Sequence, residues 1–413
     1  MEKVFNTKLI INPKLLQWII VIGVFLNRYL ELLIILLVSI CIIKITHKTF
    51  FKKKILIGLI IIIIHSLLTL TILSYDYHKN LQQFCIISLF IILYYQCFHF
   101  FQSKRIINEI LPKYLQFVVI VSFLGIIQFI IFLFIQKDIF SMFLFEGISS
   151  PQLIQPRIIR IHSILAEPSY LGTMLIPFFV CWIFYPRILP NIGLKSKIIV
   201  TAVGIITFSS ILYFIVSILL CIKILSFIST KYRILLVLSI FIAILSTNTT
   251  LNNDYSLNES GYKSIGMKIS QTFKIFQFAD DPTIFEGLNL SSYALATNFW
   301  VATHAPSRIF GTGLGTHGTN YKILYQSDDP FYGINSEDAY SLFNRIFSEF
   351  GIVGCFIYLF TIIRLFNKKS PSNMIAFTVI CALLLRGGNY VLYGCIFFHF
   401  LLIYTSLKFP QNE

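Results

Sequence analysis

Residues 52–73 read KKKILIGLIIIIIHSLLTLTIL, and this sequence has the pattern of a transmembrane helix. After the three lysines, no charged residue interrupts the run from 55 to 73. An α-helix needs about 20 apolar residues to cross the hydrocarbon core of a bilayer. Similar runs occur at 117–135 and 234–245, so we expect several transmembrane helices.

The composition of the whole chain favours the same class of protein. Of its 413 residues, 56% are hydrophobic and 12% are charged, whereas a soluble domain carries about 25% charged residues. A soluble core of this size would leave much of its Ile, Leu and Phe exposed to water. We therefore expect an all-α polytopic membrane protein in which residues 1–413 form a single membrane domain.

The apolar stretches predict about 12 transmembrane helices. Thr207-Phe208-Ser209-Ser210 divides a stretch at 197–228 that would otherwise form one overlong, tilted helix. The predicted spans are 10–27, 29–45, 55–74, 83–101, 114–136, 167–186, 197–210, 211–228, 232–248, 350–366, 374–389 and 391–407.

Basic residues orient these spans. A net charge of +15 would suggest nucleic-acid binding in a soluble protein, but Lys and Arg here fall in short loops, where they mark the cytoplasmic side. We therefore expect no nucleic-acid partner, cytoplasmic N- and C-termini, and a large loop at 249–349 on the opposite face. The basic clusters that share one side lie at 44–54, 104–113, 187–197, 231–233 and 368–369.

The cysteines give no sign of a metal site. All eight lie in apolar segments, and no Cys-x-x-Cys pair occurs. This pattern predicts buried thiols and supports neither disulfides nor a zinc site. We expect no metal and no cofactor.

A first candidate site lies at 157–172, where a loop enters a span and reads RIIRIHSILAEPSYLG. Pro168 suits the first turn of a helix. Arg157 and Arg160 would then lie above a helix N-terminus, an arrangement that suits an anion. The alternative is that both arginines are interfacial side chains and that Glu167 caps the helix.

A second candidate is the glycine-rich stretch RIFGTGLGTHG at 308–318. Glycines let backbone amides approach a phosphate, and Arg308 would add a cation. The context of a dinucleotide-binding motif, a strand followed by a helix, does not surround these glycines. A flexible loop is the favoured interpretation.

A third candidate is NSEDAYSLFNRIFSEFGIVG at 335–354, whose apolar residues recur at helical spacing. Glu337 and Asp338 would lie in the first helical turn, as reactive carboxylates or as acids that stabilise the helix dipole. Arg345 lies on the same helix. Arg386, near the outer end of a later span, is a functional candidate or an interfacial anchor.

Together these segments resemble the bacterial O-antigen polymerase and ligase superfamily over nearly the whole chain. Members carry an Arg-x-x-Gly-x-x-x-(Asn/Glu)-Pro-(Ser/Asn) stretch that enters a span. The same register is present here, with Ser163 in place of Gly, in Arg160, Glu167, Pro168 and Ser169.

Further motifs follow in the order of the family. TFSS at 207–210 resembles Thr-Phe-Ser-Arg without its Arg, and SEFGIVG at 348–354 resembles Glu-Leu-Gly-x-x-Gly. Ligases have a His-Asn pair shortly before the last motif, whereas this chain has Glu337 and Asp338 there and no His. This departure favours the polymerase branch.

The resemblance implies a glycosyltransferase with a large periplasmic loop, similar to membrane-embedded C-type glycosyltransferases. Such an enzyme polymerises undecaprenyl-diphosphate-linked repeat units into O-antigen or a related surface polysaccharide. It acts at the periplasmic face of the bacterial inner membrane and releases undecaprenyl diphosphate. The implied partners are lipid-linked glycans, membrane lipid, a chain-length regulator and a flippase.

This chemistry needs cations for the diphosphate and a base for the acceptor hydroxyl. Glu337 or Asp338 would be the base, and Glu167 would be an alternative base or would orient Arg160. The residues that we expect to bind diphosphate are Arg160 and Arg386, with Arg157, Arg308 and Arg345 as further candidates.

Two other functions remain open. One is a polysaccharide ligase of the same superfamily, and the other is a lipid-linked oligosaccharide flippase or transporter. Transporters place their binding groups near the membrane midplane. Few ionisable residues lie inside the predicted spans, which favours the enzyme.

Overall fold

The structure is a computed structural model that describes residues 12–50, 52–138, 140, 153–155, 158–188, 192–228 and 282–406. Within these residues the fold is helical, apart from an antiparallel pair of short strands, β1 (Leu153–Gln155) and β2 (Ile158–Ile159). The helices are α1 (Pro13–Val24), α2 (Arg28–Thr46), α3 (Lys53–Leu73), α4 (His78–Ser103), α5 (Ile110–Ile135), α6 (Pro168–Phe184), α7 (Leu194–Ile206), α8 (Ser210–Phe227), α9 (Leu290–His304), α10 (His317–Leu324), α11 (Leu342–Leu365), α12 (Pro371–Leu385) and α13 (Cys395–Tyr404).

The prediction of a helical membrane protein is confirmed. In the described part of the chain, six helices are long and apolar enough to cross a bilayer, namely α2, α3, α4, α5, α8 and α11. The shorter apolar helices α1, α6, α12 and α13 also coincide with predicted spans, as does α7. The predicted span at 232–248 lies outside the described residues.

Short polar turns end the helices where the sequence predicts breaks. The side chain of Asn27 accepts a hydrogen bond from Leu30 N at 3.0 Å and so caps α2. The break at 207–210 is also present, and Ser209 caps α8 there. Glu167 occupies the N-cap position of α6, directly before Pro168, but its side chain makes no capping hydrogen bond.

The start of α11 differs from the prediction. The helix begins at Leu342, and Ser341 caps it by accepting a hydrogen bond from Asn344 N at 3.1 Å. Glu337 and Asp338 therefore precede the helix and lie in a turn region. They do not occupy the first helical turn, because the Ser341 cap sets the start of the helix after them.

The burial pattern is that of a protein whose solvent is lipid. On α3, large apolar side chains such as Ile57, Ile61, Ile64 and Leu68 are exposed. Only 17% of the apolar stretch of that helix is buried within the protein. In water such a surface would drive aggregation, whereas acyl chains solvate it. Helices α1, α2, α4, α5, α6, α12 and α13 enclose the main apolar core.

A second, smaller core lies in the segment between α8 and α11. It joins helix α9 to α10 and to the turn at Pro282–Phe285. Tyr293 and Tyr325 share a hydrogen bond between their hydroxyl groups at 3.0 Å inside it. Its buried members are Phe285, Leu288, Tyr293, Ala296, Val301, Tyr321 and Tyr325.

The starts of α4, α6, α8 and α11 meet the end of α12 at one end of the bundle. Long-range contacts tie them together there, such as that between Lys79 at the start of α4 and Glu337, with 2.8 Å between Nζ and Oε1. The candidate site described next lies at this end.

Candidate functional site

Arg386 and Glu167 come together although they are far apart in the sequence. Arg386 Nη2 lies 3.4 Å from Glu167 Oε2, and the guanidinium group lies over the ring of Tyr340 at 4.1 Å. Ser169 Oγ donates to the same Glu167 oxygen at 2.9 Å. Both charged side chains remain partly exposed, so an incoming ligand can reach this pair.

Arg160 belongs to the same group of charges. Its guanidinium group donates to the carbonyl oxygens of Thr207 at 3.3 Å and Phe208 at 3.0 Å. Burial lowers the pKa of Arg160, Glu167 opposes this effect and Arg386 adds to it. Arg160 thus interacts electrostatically with the Arg386–Glu167 pair, and two guanidinium groups near one another suit an anion.

Close packing between α6 and α8 supports Arg160. A side chain at Gly172 would place its Cβ 2.3 Å from Ser209 Oγ. Glycine therefore lets the turn at 207–209 approach α6, which brings its carbonyl groups to Arg160. This gives a physical reason for the glycine that closes the stretch at 157–172.

Arg345 is the centre of a buried network. Its side chain is 1% exposed, and Nε lies 3.1 Å from Glu349 Oε1. It also donates to the carbonyl oxygen of Gly388 at 3.1 Å and to Gln83 Oε1. Tyr390 completes the network, with its ring 4.5 Å from the guanidinium carbon and its hydroxyl 2.9 Å from Glu349 Oε2. Because these partners surround it, Arg345 is not accessible to a ligand in this structure.

The two neighbouring acidic residues differ in their surroundings. Asp338 Oδ1 lies 3.5 Å from Arg345 Nη1 and accepts from Asn389 Nδ2 at 3.1 Å. Its side chain is 34% exposed; burial raises its pKa, although Arg345 opposes this. Glu337 is 53% exposed and pairs with Lys79 at 2.8 Å and Lys322 at 3.8 Å.

Glycines after α12 let its end approach the turn that carries Asp338. A Cβ at Gly388 would lie 1.4 Å from the carbonyl oxygen of Asp338. Gly387 has a φ of +122°, and its amide donates to the carbonyl oxygen of Tyr340 at 3.0 Å. Arg386 and Asp338 are thus brought to the same end of the bundle by backbone contact.

A small cavity of about 10 Å³ adjoins this region, which is about the room that one water molecule needs. It is lined by Tyr170, Thr173, Leu383, Gly387, Asn389, Leu392 and Tyr393. A larger cleft of about 430 Å³ is lined by Gln326, Ser327, Asp328 and Tyr332, and none of the predicted site residues line it. The small cavity is next to the site, because Gly387 follows Arg386 and Asn389 bonds to Asp338.

The glycine segment, residues 308–318, is hydrogen-bonded to α11. Gly351 has a φ of +67° and interrupts α11. The segment crosses the interruption: the amides of Thr312 and Gly313 donate to the carbonyl oxygens of Ser348 at 3.1 Å and Glu349 at 2.8 Å. The segment therefore bonds to α11 through these two amides, and a contact between its glycines and a phosphate stays a prediction.

The other predicted diphosphate-binding residues, Arg308 and Arg157, are not observed in contact with Arg160, Glu167 or Arg386 in the described part of the chain. Arg308 is exposed, and its carbonyl oxygen accepts from Ile352 N at 2.9 Å. Arg157 lies outside the described residues.

Two histidines from the candidate segments have partners elsewhere. His162 Nε2 lies 2.6 Å from Asp138 Oδ2, and hydrogen bonds from His162 and Gln128 lower the pKa of Asp138 against the opposing effect of burial. His317 Nε2 pairs with Asn298 Oδ1 at 2.9 Å, and burial, with help from Arg345, lowers its pKa to about 3.

Sequence reasoning missed Gln83, Tyr340, Asn389 and Tyr390 as members of the site. Tyr340 lies within the candidate segment 335–354 but carries no charge, and Gln83 is 262 residues from its partner Arg345. Among the residues that the structure describes, no group of three or more His, Cys, Asp or Glu side chains is arranged to hold a metal ion.

The chain is thus a helical membrane protein with a cluster of charged side chains, here called the charged group, at one end of the bundle. Its members are Arg160, Glu167 and Arg386. Comparisons with protein-family models, curated proteins and solved structures found no match to this chain.

Proposed function

We propose that the chain is a glycosyltransferase that polymerises undecaprenyl-diphosphate-linked oligosaccharide repeat units. In this proposal it works at the periplasmic face of the bacterial inner membrane and releases undecaprenyl diphosphate. The observation that supports the proposal is the cluster formed by Arg160, Glu167 and Arg386, in which Arg386 pairs with Glu167 and Arg160 interacts electrostatically with both. The motif order described above supplies the substrate class.

The reaction joins two lipid-linked glycans. The bond between the anomeric carbon of the donor glycan and its diphosphate oxygen breaks, and a hydroxyl oxygen of the acceptor forms the new glycosidic bond. Negative charge grows on the departing diphosphate, where Arg160 and Arg386 would stabilise it. The proton of the acceptor hydroxyl passes to a base.

Asp338 is the carboxylate best suited to be that base. It is partly exposed, and its raised pKa makes it a stronger base than an ordinary aspartate. Glu337 is more exposed and pairs with two lysines, which favours a role in holding the turn. Glu167 is paired with Arg386, which suits a residue that orients the guanidinium group.

The other arginines take different roles in this proposal. Arg345 is enclosed by its partners and would position Asp338 without touching the diphosphate. Arg308 is attached to the kink in α11, so it is the weaker candidate for ligand contact.

The test is a lipopolysaccharide gel from a strain that lacks this gene, complemented with wild type, Arg160→Ala, Arg160→Lys or Arg364→Ala. Arg364 is an exposed arginine near the other end of α11 and serves as the matched control. We expect the null strain to show lipid A–core with a single repeat unit. Wild type and Arg364→Ala should restore the ladder. Loss of one group that stabilises the leaving charge costs about 100-fold in rate, so Arg160→Ala should fail.

Other outcomes separate the alternatives. Complete loss of polymer from the core in the null strain would indicate a ligase or a flippase. Full activity of Arg160→Lys beside an inactive Arg160→Ala would argue against bidentate binding of the diphosphate. An unchanged ladder in the null strain would contradict the O-antigen product, and the same comparison would then be made on capsular polysaccharide.

A further inference from the structure

The glycine segment contacts α3 well below the end of that helix. His65 Nε2 lies 2.8 Å from the carbonyl oxygen of Phe310, and Ser66 Oγ accepts from Leu314 N at 3.1 Å. Helix α3 has 21 residues and is about 31 Å long at 1.5 Å per residue, close to the thickness of a hydrocarbon core. His65 precedes the last residue, Leu73, by two turns, which places the contact about 12 Å from that end.

Helix α11 provides a second contact with this segment. Ile352 N donates to the carbonyl oxygen of Arg308 at 2.9 Å, and Val353 N donates to that of Ile309 at 3.2 Å. Both residues follow the interruption at Gly351, so they belong to the part of α11 that spans the membrane. Residues 308–310 therefore lie beside two membrane-spanning helices, and the contact with His65 sets their depth.

The side chains of this segment suit an apolar surrounding. Ile309 and Phe310 are each 58% exposed, and the adjoining Ile352 and Val353 on α11 are exposed as well. The backbone, in contrast, is bonded to protein: Gly311 N donates to Ser307 O at 2.8 Å. Irregular backbone at membrane depth is tolerated where protein satisfies its polar groups, and this segment meets that condition.

We propose that the glycine segment re-enters the bilayer from the end that carries the charged group, and that Ile309 and Phe310 contact lipid acyl chains. The occupant is lipid because the exposed pair is continuous with the exposed apolar residues of α11. It also lies at the depth of His65 in α3, whose own apolar residues are exposed. The proposal does not depend on the reaction proposed above.

The test uses tryptophan reporters in nanodiscs. Phe310→Trp is compared with Ile64→Trp on α3 and with Ile323→Trp on α10, whose native side chains are 51% and 58% exposed. Fluorescence is measured with lipids brominated in the middle of the acyl chain and, separately, with aqueous iodide. The signal of the three native tryptophans is subtracted by measuring the wild-type chain in parallel.

We expect brominated lipid to quench Phe310→Trp to the same extent as Ile64→Trp, and iodide to quench Ile323→Trp alone. Quenching of Phe310→Trp by iodide and not by brominated lipid would overturn the proposal in favour of water contact. Protection from both quenchers would also overturn it, because a second copy or another part of the chain would then cover the segment. Ile309→Trp provides a second reporter if Phe310→Trp does not fold.

Discussion

The individual charged residues of the site form two sets, which differ in their hydrogen-bond partners and in their exposure. Arg345 and Glu349 are both buried and hydrogen-bonded on several sides, which offsets the cost of removing two charges from water. Arg160, Glu167 and Arg386 are more accessible and have an excess of one positive charge. The first set is suited to stabilising the site, and the second is suited to binding an anion.

The raised pKa of Asp338 leads to a prediction about pH. A base acts in its ionised form, so activity should fall with decreasing pH through the pKa of Asp338, which burial places above that of an ordinary aspartate. Asp338→Asn should lower the rate of glycan extension by about 100-fold or more. Initial rates in reconstituted membranes across the acidic pH range would measure both effects.

Glu337→Gln is the matched control for Asp338→Asn, because Glu337 is adjacent but exposed. We expect it to keep the pH profile of the wild type. An active Asp338→Asn beside an inactive Glu337→Gln would show that the base is assigned to the wrong carboxylate.

At the scale of elements, the interruption of α11 at Gly351 is the feature that organises the site. The interruption frees backbone groups of the helix, and the glycine segment bonds to them. Glu349 and Arg345 lie just before this point. The kink therefore links the membrane-spanning part of α11 to the part that carries the buried network.

Gly351→Ala should destabilise the protein strongly. The added Cβ would lie 2.2 Å from the carbonyl oxygen of Ile309, at a φ of +67° that disfavours alanine. Overpacking of this kind costs about 1–3 kcal/mol, and the backbone strain adds to it. The fraction of protein that stays monodisperse in detergent after heating would show the loss.

Gly58→Ala serves as the control for that measurement. Gly58 lies within α3, and a Cβ there would meet nothing within 4 Å. Alanine favours helix by about 1 kcal/mol over glycine, so we expect this variant to be at least as stable as the wild type. Equal stability of Gly351→Ala and wild type would contradict the role assigned to the kink.

In the molecule as a whole, apolar side chains cover the sides of the helix bundle, and charged side chains lie at its ends. Predicted basic clusters include Lys104, between α4 and α5, whereas the charged group lies at the opposite end of α4. Basic loops mark the cytoplasmic side of membrane proteins. The charged group should therefore face away from the cytoplasm.

Cysteine labelling would test this orientation. In a background in which the eight native cysteines are replaced, Asp328→Cys and Lys104→Cys are treated with a membrane-impermeant maleimide. We expect Asp328→Cys to react in intact, outer-membrane-permeabilised cells and Lys104→Cys to react after lysis only. The reverse pattern would invert the proposed topology and move the site to the cytoplasmic face.

The class of protein and the positions of most apolar helices could be predicted from the sequence alone. Runs such as 55–73 are local signals, because an apolar helix in lipid satisfies its backbone internally and needs no partner to be stable. Turns at Asn27 and at 207–210 are local as well, since a polar side chain or a strained residue ends the helix there. The sequence also predicted that Arg160, Glu167 and Arg386 lie at one end, because the order of spans fixes which helix ends meet.

Which charges pair and which remain accessible could be seen only in the three-dimensional structure. That Arg345 is enclosed follows from its contact with Gln83, a residue 262 positions away. That the glycines bond to α11 follows from an interruption at Gly351 that no local pattern indicated. Such contacts depend on how helices pack in three dimensions, and spacing along the chain carries no record of that geometry.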